Sequence, residues 1–187
     1  GASRDEALAG LALGADDILA EAVAYESRCD RLPEAEPLVR SMVVQGVHAA
    51  LSSRRRDAEG RFAGLAAGLA YSTPARTYFR DGYWTLQLLL AADPGAVLSE
   101  IDLLAQGVRP DGEAPSGVIV ADARQSAAWE ALRAARRRIA ATHQRPREWW
   151  SDHFDSPLFF VLAVDDYVRV TGDHGPAGRH AGLIAAV

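Results

Sequence analysis

Arg80 and Asp81 stand side by side among Tyr78, Phe79, Tyr83 and Trp84, in the stretch STPARTYFRDGYWTLQLLL at residues 72–90. A fixed guanidinium, a carboxylate and several rings at the mouth of an apolar segment are costly to place unless something polar binds there. Two further stretches offer the same chemistry. Residues 108–121, VRPDGEAPSGVIVA, carry Asp111 and Glu113, and residues 143–155 carry Trp149, Trp150, Asp152 and Asp155. Rings cover the apolar faces of a sugar, while acids and arginine bond its hydroxyls with charge-assisted strength. Hydrolysis of a glycosidic bond needs, in addition, two carboxyl groups flanking that bond. Asp81, Glu113 and Asp155 are the candidate acids, and Tyr78, Arg80, Asp81, Tyr83, Trp84 and Asp155 the candidate substrate-binding residues.

Each candidate has a plainer explanation. Asp81 and Asp155 both lie where a helix N-cap belongs, and aspartate is among the best caps. Glu113 sits in a Pro/Gly turn, where an exposed glutamate is the commoner case. Two capping aspartates would leave the arginine and the rings around Asp81 unexplained, which favours a binding role.

The elements that position these residues read as helices. Apolar residues recur at helical spacing over 5–25 and 38–51, the second opened by Pro33 and the acids Glu34 and Glu36. Further helices are expected over 82–92, 96–106 and 126–142, and from Ser156-Pro157 to Thr171-Gly172-Asp173, with Pro176 starting another element. Trp129 is expected in the core. The run Leu158 to Leu162 is apolar nearly all round and is expected to be buried. Residues 52–71 read as a long structured loop, with the basic run Arg54, Arg55, Arg56 offset by Asp57 and Glu59 and solvated. Only 118–120 suggests a strand. The fold expected is therefore all-α, one region over 1–187, with antiparallel helical hairpins gathering the three rich loops at one end.

Composition narrows the function. A hydrophobic fraction of 49% with 24% charged residues is that of a soluble globular chain, and no apolar run is long enough to span a membrane. The net charge of −5 speaks against nucleic acid, which wants a basic stripe. One cysteine, Cys29, excludes an internal disulfide and a cysteine zinc site, and it suits a reducing, cytoplasmic setting. There is no lysine, so Schiff-base chemistry and lysine phosphate loops are excluded. The histidines His48, His143, His153, His174 and His180 show no ligand spacing, and the pairs Asp16-Asp17 and Asp165-Asp166 lack a companion acidic motif. No metal and no cofactor is expected.

The motifs also carry a resemblance. YFRDGYWT followed by LLL resembles the arginine–aspartate motif of six-hairpin (α/α)6 glycoside hydrolases, nearest the glycogen-debranching, amylo-α-1,6-glucosidase-like group, with trehalases and glucoamylases more distant. EIDLLAQGVRPDGEAPSGV is similar to the following helix and loop of that group, and FDSPLFFVLAVDDYVRVTGD to its aspartate-led aromatic helix. The likeness covers about residues 63–173. It implies an α-glucosidic substrate, inversion, Arg80 and Asp81 holding the terminal sugar's hydroxyls, and Asp155 lining the same pocket. The family's ring has twelve helices, which needs at least roughly 200 residues. Six expected helices make about half of it, so the resemblance further implies that the chain is the N-terminal part of a larger catalytic domain. The general acid and base would then lie outside it, and the remainder of that domain would be a partner.

Overall fold

In the computed structural model the described residues are 34–57, 60–67, 76–120 and 153–187, the backbone at 148–149, and single positions (14, 16, 19, 20, 23, 24, 27, 32 and 135). They are mostly helical, with two small antiparallel sheets. The all-α expectation is thereby corrected. Among the described residues no helix is long and apolar enough to cross a membrane. The expected helix over 126–142 lies outside the described residues except Ala135, which is helical. Of the expected helix over 5–25, the described positions from Asp16 to Ala24 are helical, but Leu19 and Val23 are exposed.

Helix α1 is Pro37–Ser52. Its cap is Glu36, whose carboxylate accepts from the Leu38 and Val39 amides, while Pro37 gives up an amide that would have no partner. Val47, Ala50 and Leu51 face the core, whereas Leu38, Val39 and Met42 stay exposed. The expected loop after it contains a hairpin, β1 (Arg54–Arg56) and β2 (Phe62–Leu65), paired Arg54↔Leu65 and Arg56↔Phe62. The arginine run is thus a strand rather than a solvated loop. Arg54 reaches across to Asp93 at 2.9 Å.

Strand β3 (Arg76–Tyr78) runs straight into helix α2 (Phe79–Gln87), three residues earlier than the spacing suggests. Beyond it, 88–92 form turns rather than continuing the helix. Asp93-Pro94-Gly95, which reads as a terminator, instead opens helix α3 (Pro94–Ala105). Asp93 is its N-cap, accepting from the Ala96 amide. Strand β4 (Gly117–Ile119) then pairs antiparallel with β3 on one side and with β5 (Glu148–Trp149) on the other. Helix α4 (Ser156–Thr171) ends as expected, at Gly172 with φ 72°. Helices α5 (Gly175–Arg179) and α6 (Ala181–Ala186) follow Pro176's lead.

The sheet β3–β4–β5 decides what meets what. Each of its strands comes from a different one of the three rich stretches, so backbone pairing gathers all three. Their approach is close: a Cβ on Gly117 would lie 2.4 Å from the Thr77 carbonyl oxygen. The core beneath is built from Phe79, Leu86 and Leu89 of the α2 segment, Val97, Ile101 and Leu104 of α3, and Phe160, Ala163 and Val164 of α4. Each large side chain so buried contributes about 1.5–3 kcal/mol. Helix α4 is not buried all round, since Leu158 is 55% and Leu162 44% exposed.

One core position breaks the apolar pattern. Glu100 of α3 is completely buried, against the Thr77 hydroxyl and under Gly82 of α2. Its Oε2 has no hydrogen-bond partner among the described residues. Burial pushes its pKa up to about 8, with the Thr77 hydroxyl and the Leu65 backbone favouring the charged form less strongly. The acid is therefore neutral in the folded chain at neutral pH.

Two outcomes follow. With the folded pKa near 8 and the ordinary value at 4.5, Glu100's contribution to stability is full below about pH 4.5 and lost as pH rises to about 8. The decline is about 1.4 kcal/mol per pH unit. In denaturant titrations across that range, Glu100→Gln lacks this slope, so the difference between variant and wild type changes with pH by that amount; parallel curves would show that Glu100 keeps its ordinary pKa in the fold. Gly117→Ala forces β4 off β3 and costs about 1–3 kcal/mol, read as a lower denaturation midpoint.

Candidate functional site

Helices α2 and α4 lie side by side and advance in the same direction. Arg80 of α2 meets Asp155 at the N-terminus of α4, Tyr83 and Trp84 meet Phe159, and Tyr83 and Gln87 meet Asp166. Parallel neighbours bring their N-termini, and the residues just before them, to one end of the molecule. Both the arginine–aspartate stretch and the aspartate-led helix therefore open onto the same place.

Neither helix mouth uses its aspartate as a cap. The N-cap of α2 is Tyr78, with no side-chain hydrogen bond, and Asp81 lies inside the first turn, where a negative charge suits the helix dipole. Among the described residues the Asp81 carboxylate has no hydrogen bond or ion pair, and the residue is exposed. Asp155 occupies the N-cap position of α4 but makes no side-chain cap bond either. Its two oxygens go elsewhere: Oδ2 to the Arg80 guanidinium at 3.1 Å and Oδ1 to His153 Nδ1 at 2.9 Å. The Arg80 side chain keeps 58% of its surface exposed, against 17% for Asp155 and 33% for His153. The charged pair of the sequence is thus not Arg80 with Asp81. It is Arg80 with Asp155, and Asp81 stands beside it.

The rings divide by role. Phe79 is fully buried and belongs to the core. The Tyr78 hydroxyl accepts from Arg76 Nε at 2.6 Å, and the Arg76 guanidinium also lies 5.7 Å from the Tyr78 ring centre. Tyr83 donates its hydroxyl to Asp166 at 2.9 Å, an oxygen that Gln87 also reaches. Burial, and then the Asp166 carboxylate, raise the Tyr83 phenol above its ordinary range, so it remains a donor. Both tyrosines are engaged within the fold. Trp84 differs: it is 62% exposed, with its ring held edge-on against Tyr83 and near Phe159. One turn of helix separates it from Arg80 and slightly less from Asp81, so all three share a face of α2.

Glu113 is drawn into a different contact. Its carboxylate meets the buried Arg109 guanidinium at 2.7 Å, and the Asp111 carboxylate accepts from the Glu113 amide. The backbone nevertheless ties its loop to the site, because the His153 amide donates to the Ala114 carbonyl and the Phe79 amide to that of Ser116. Asp152 and the side chain of Trp149 lie outside the described residues, as does Trp150.

His153 is the participant that residue types alone did not single out. A signal for it existed in the spacing His153-x-Asp155 just before a helix, which lets an imidazole turn back onto a carboxylate two residues on. Among the described residues no group of three or more His, Cys, Asp or Glu side chains is placed to hold a metal ion. The arrangement at the two helix mouths is a net-neutral ion pair, an adjacent free carboxylate, an imidazole and an exposed indole. A scan against family models and searches of curated proteins and of solved structures found no match for this chain.

Proposed function

We propose that the mouths of α2 and α4 bind a carbohydrate, as the sugar-gripping part of a glycoside hydrolase acting on α-glucosidic linkages with inversion. On this reading the helices form about half of an (α/α)6 toroid in a cytoplasmic enzyme. The rest of the ring, with the general acid and base, is supplied by the remainder of the catalytic domain. One observation carries it: the Arg80–Asp155 pair joins the two motif stretches while Asp81 is spared from capping. The charges support a neutral ligand. Arg80 and Asp155 offset one another and Asp81 adds a negative charge, so an anion would have to displace Asp155 and then face Asp81. Hydroxyl groups need only the guanidinium N–H groups left unused and the free carboxylate oxygens. Trp84 offers the apolar face that a pyranose ring stacks on.

A second reading, a non-catalytic module that binds a protein, is favoured by a different observation. Phe154 is 89% exposed and stands at the start of a helix whose Leu158 and Leu162 are also uncovered. An aromatic and aliphatic stripe of this kind suits a protein partner better than a sugar.

Calorimetric titration with glucose, maltose and trehalose separates the two. Asp81→Ala is expected to weaken sugar binding at least about tenfold, the loss of one charge-assisted hydrogen bond or more. Stability should change by less than about 1 kcal/mol, the value of an acid in a first turn. Full affinity in that variant would remove Asp81 from the site. Tryptophan emission is expected to change on saturation with the bound sugar and to lose that change in Trp84→Phe. Emission indifferent to all three sugars, with an unaltered heat signal, would leave the protein-binding reading standing.

A further inference from the structure

Asp155 is held from two sides, and the second side has chemistry of its own. A carboxylate oxygen accepts hydrogen bonds, so the 2.9 Å contact between Asp155 Oδ1 and His153 Nδ1 places a hydrogen on Nδ1. In the neutral imidazole that choice leaves Nε2 as an acceptor. Among the described residues Nε2 has no hydrogen-bond partner, and a third of the side chain is exposed. The backbone fixes the ring's origin as well, with the His153 amide on the Ala114 carbonyl and the His153 carbonyl accepting from the Ser156 amide. The result is a chain of contacts, imidazole to carboxylate to guanidinium, with an acceptor at one end and unused N–H donors at the other.

We infer that His153 works through both nitrogens at this site, Nδ1 positioning Asp155 and through it Arg80, and Nε2 accepting a hydrogen bond from a hydroxyl of the bound sugar. This rests on the carbohydrate reading and adds to it a specificity element: an acceptor on one side of the Asp155 carboxylate and unused guanidinium donors on the other. Two hydroxyls of one ligand can satisfy such a pair, one donating to Nε2 and another accepting from Arg80. A ligand lacking the donating hydroxyl leaves Nε2 unfilled. Asp81, free on the adjoining turn of α2, accepts from a further hydroxyl.

The test combines imidazole nitrogen NMR with maltose titration of the full chain. The free protein is expected to show His153 protonated at Nδ1 and bare at Nε2, with Asp155→Asn disturbing that tautomer. Saturating maltose should shift the Nε2 resonance. His153→Asn retains an amide donor where Nδ1 stood but has nothing at Nε2, and it is expected to bind maltose about tenfold more weakly at unchanged thermal midpoint. His153→Gln offers an acceptor near the Nε2 position without holding Asp155, and should also bind more weakly. Wild-type affinity in His153→Asn overturns the acceptor role, and a neutral imidazole with its hydrogen on Nε2 and none on Nδ1 in the free protein overturns the whole relay. A wild-type chain that binds no maltose while showing the Nδ1 tautomer removes the carbohydrate reading and the acceptor role with it, and upholds the positioning of Asp155.

Discussion

Backbone pairing across β3, β4 and β5 is the constraint on which the remaining geometry depends. The strands are only two or three residues long, too short to be stable alone, and they are drawn from segments far apart in the chain. What makes them hold is the close approach allowed by Gly117 and the burial of Val118 against the helical core. Once β3 is fixed, α2 must begin at Phe79, because the Phe79 amide is committed to the Ser116 carbonyl. Once α2 begins there, Asp81 falls in the first turn instead of at the cap. The availability of its carboxylate is thus a consequence of strand register.

Glu100 is the polar point on which this region closes. It touches β3 through Thr77, lies near the Leu65 backbone of β2, and sits under Gly82, where a Cβ would come within 2.8 Å of its Oε1. A buried carboxyl without a counter-charge avoids the desolvation of an ion only by keeping its proton. An apolar side chain of similar size would bury without that requirement. Glu100 instead couples the turn carrying Arg80 and Asp81 to two strands and a helix through one neutral group.

The helices were largely legible in the sequence, because an amphipathic period survives whatever surrounds it. Helix α3, expected over 96–106, buries Val97, Ile101, Leu104 and Ala105 at helical spacing, and Gly172 stops α4 where its conformational freedom allows a left-handed turn. The strands, apart from β4, were not. Arg54–Arg56 has no alternation to read, and its strand state is imposed by β2 and by the long-range pairing of Arg54 with Asp93. Asp93 shows the same limit at a boundary: Asp-Pro-Gly serves equally to stop one helix or to start the next, and only the contact with Ala96 decides. In the site, residue types exposed Arg80, Asp81 and Asp155 as chemically capable. Which of them pair is a matter of how α2 and α4 are set in parallel, and no local pattern encodes that.

The same parallel setting bears on the proposed binding role of Trp84. An exposed indole normally loses side-chain freedom when a ligand orders it, which subtracts from affinity. Here the ring is already lodged edge-on against Tyr83, 5.1 Å between centres, while Tyr83 is itself fixed by its hydroxyl on Asp166 and by Phe159. The chain of support runs from α4 through Tyr83 to the exposed ring. Arg80 is steadied in the same manner, by Asp155 from α4. Both groups on the exposed face of α2 are therefore ordered by the neighbouring helix before any ligand arrives, and the contacts a ligand makes with them carry less of the ordering cost. A surface that merely left a tryptophan and an arginine uncovered would have no reason to brace each from a second element.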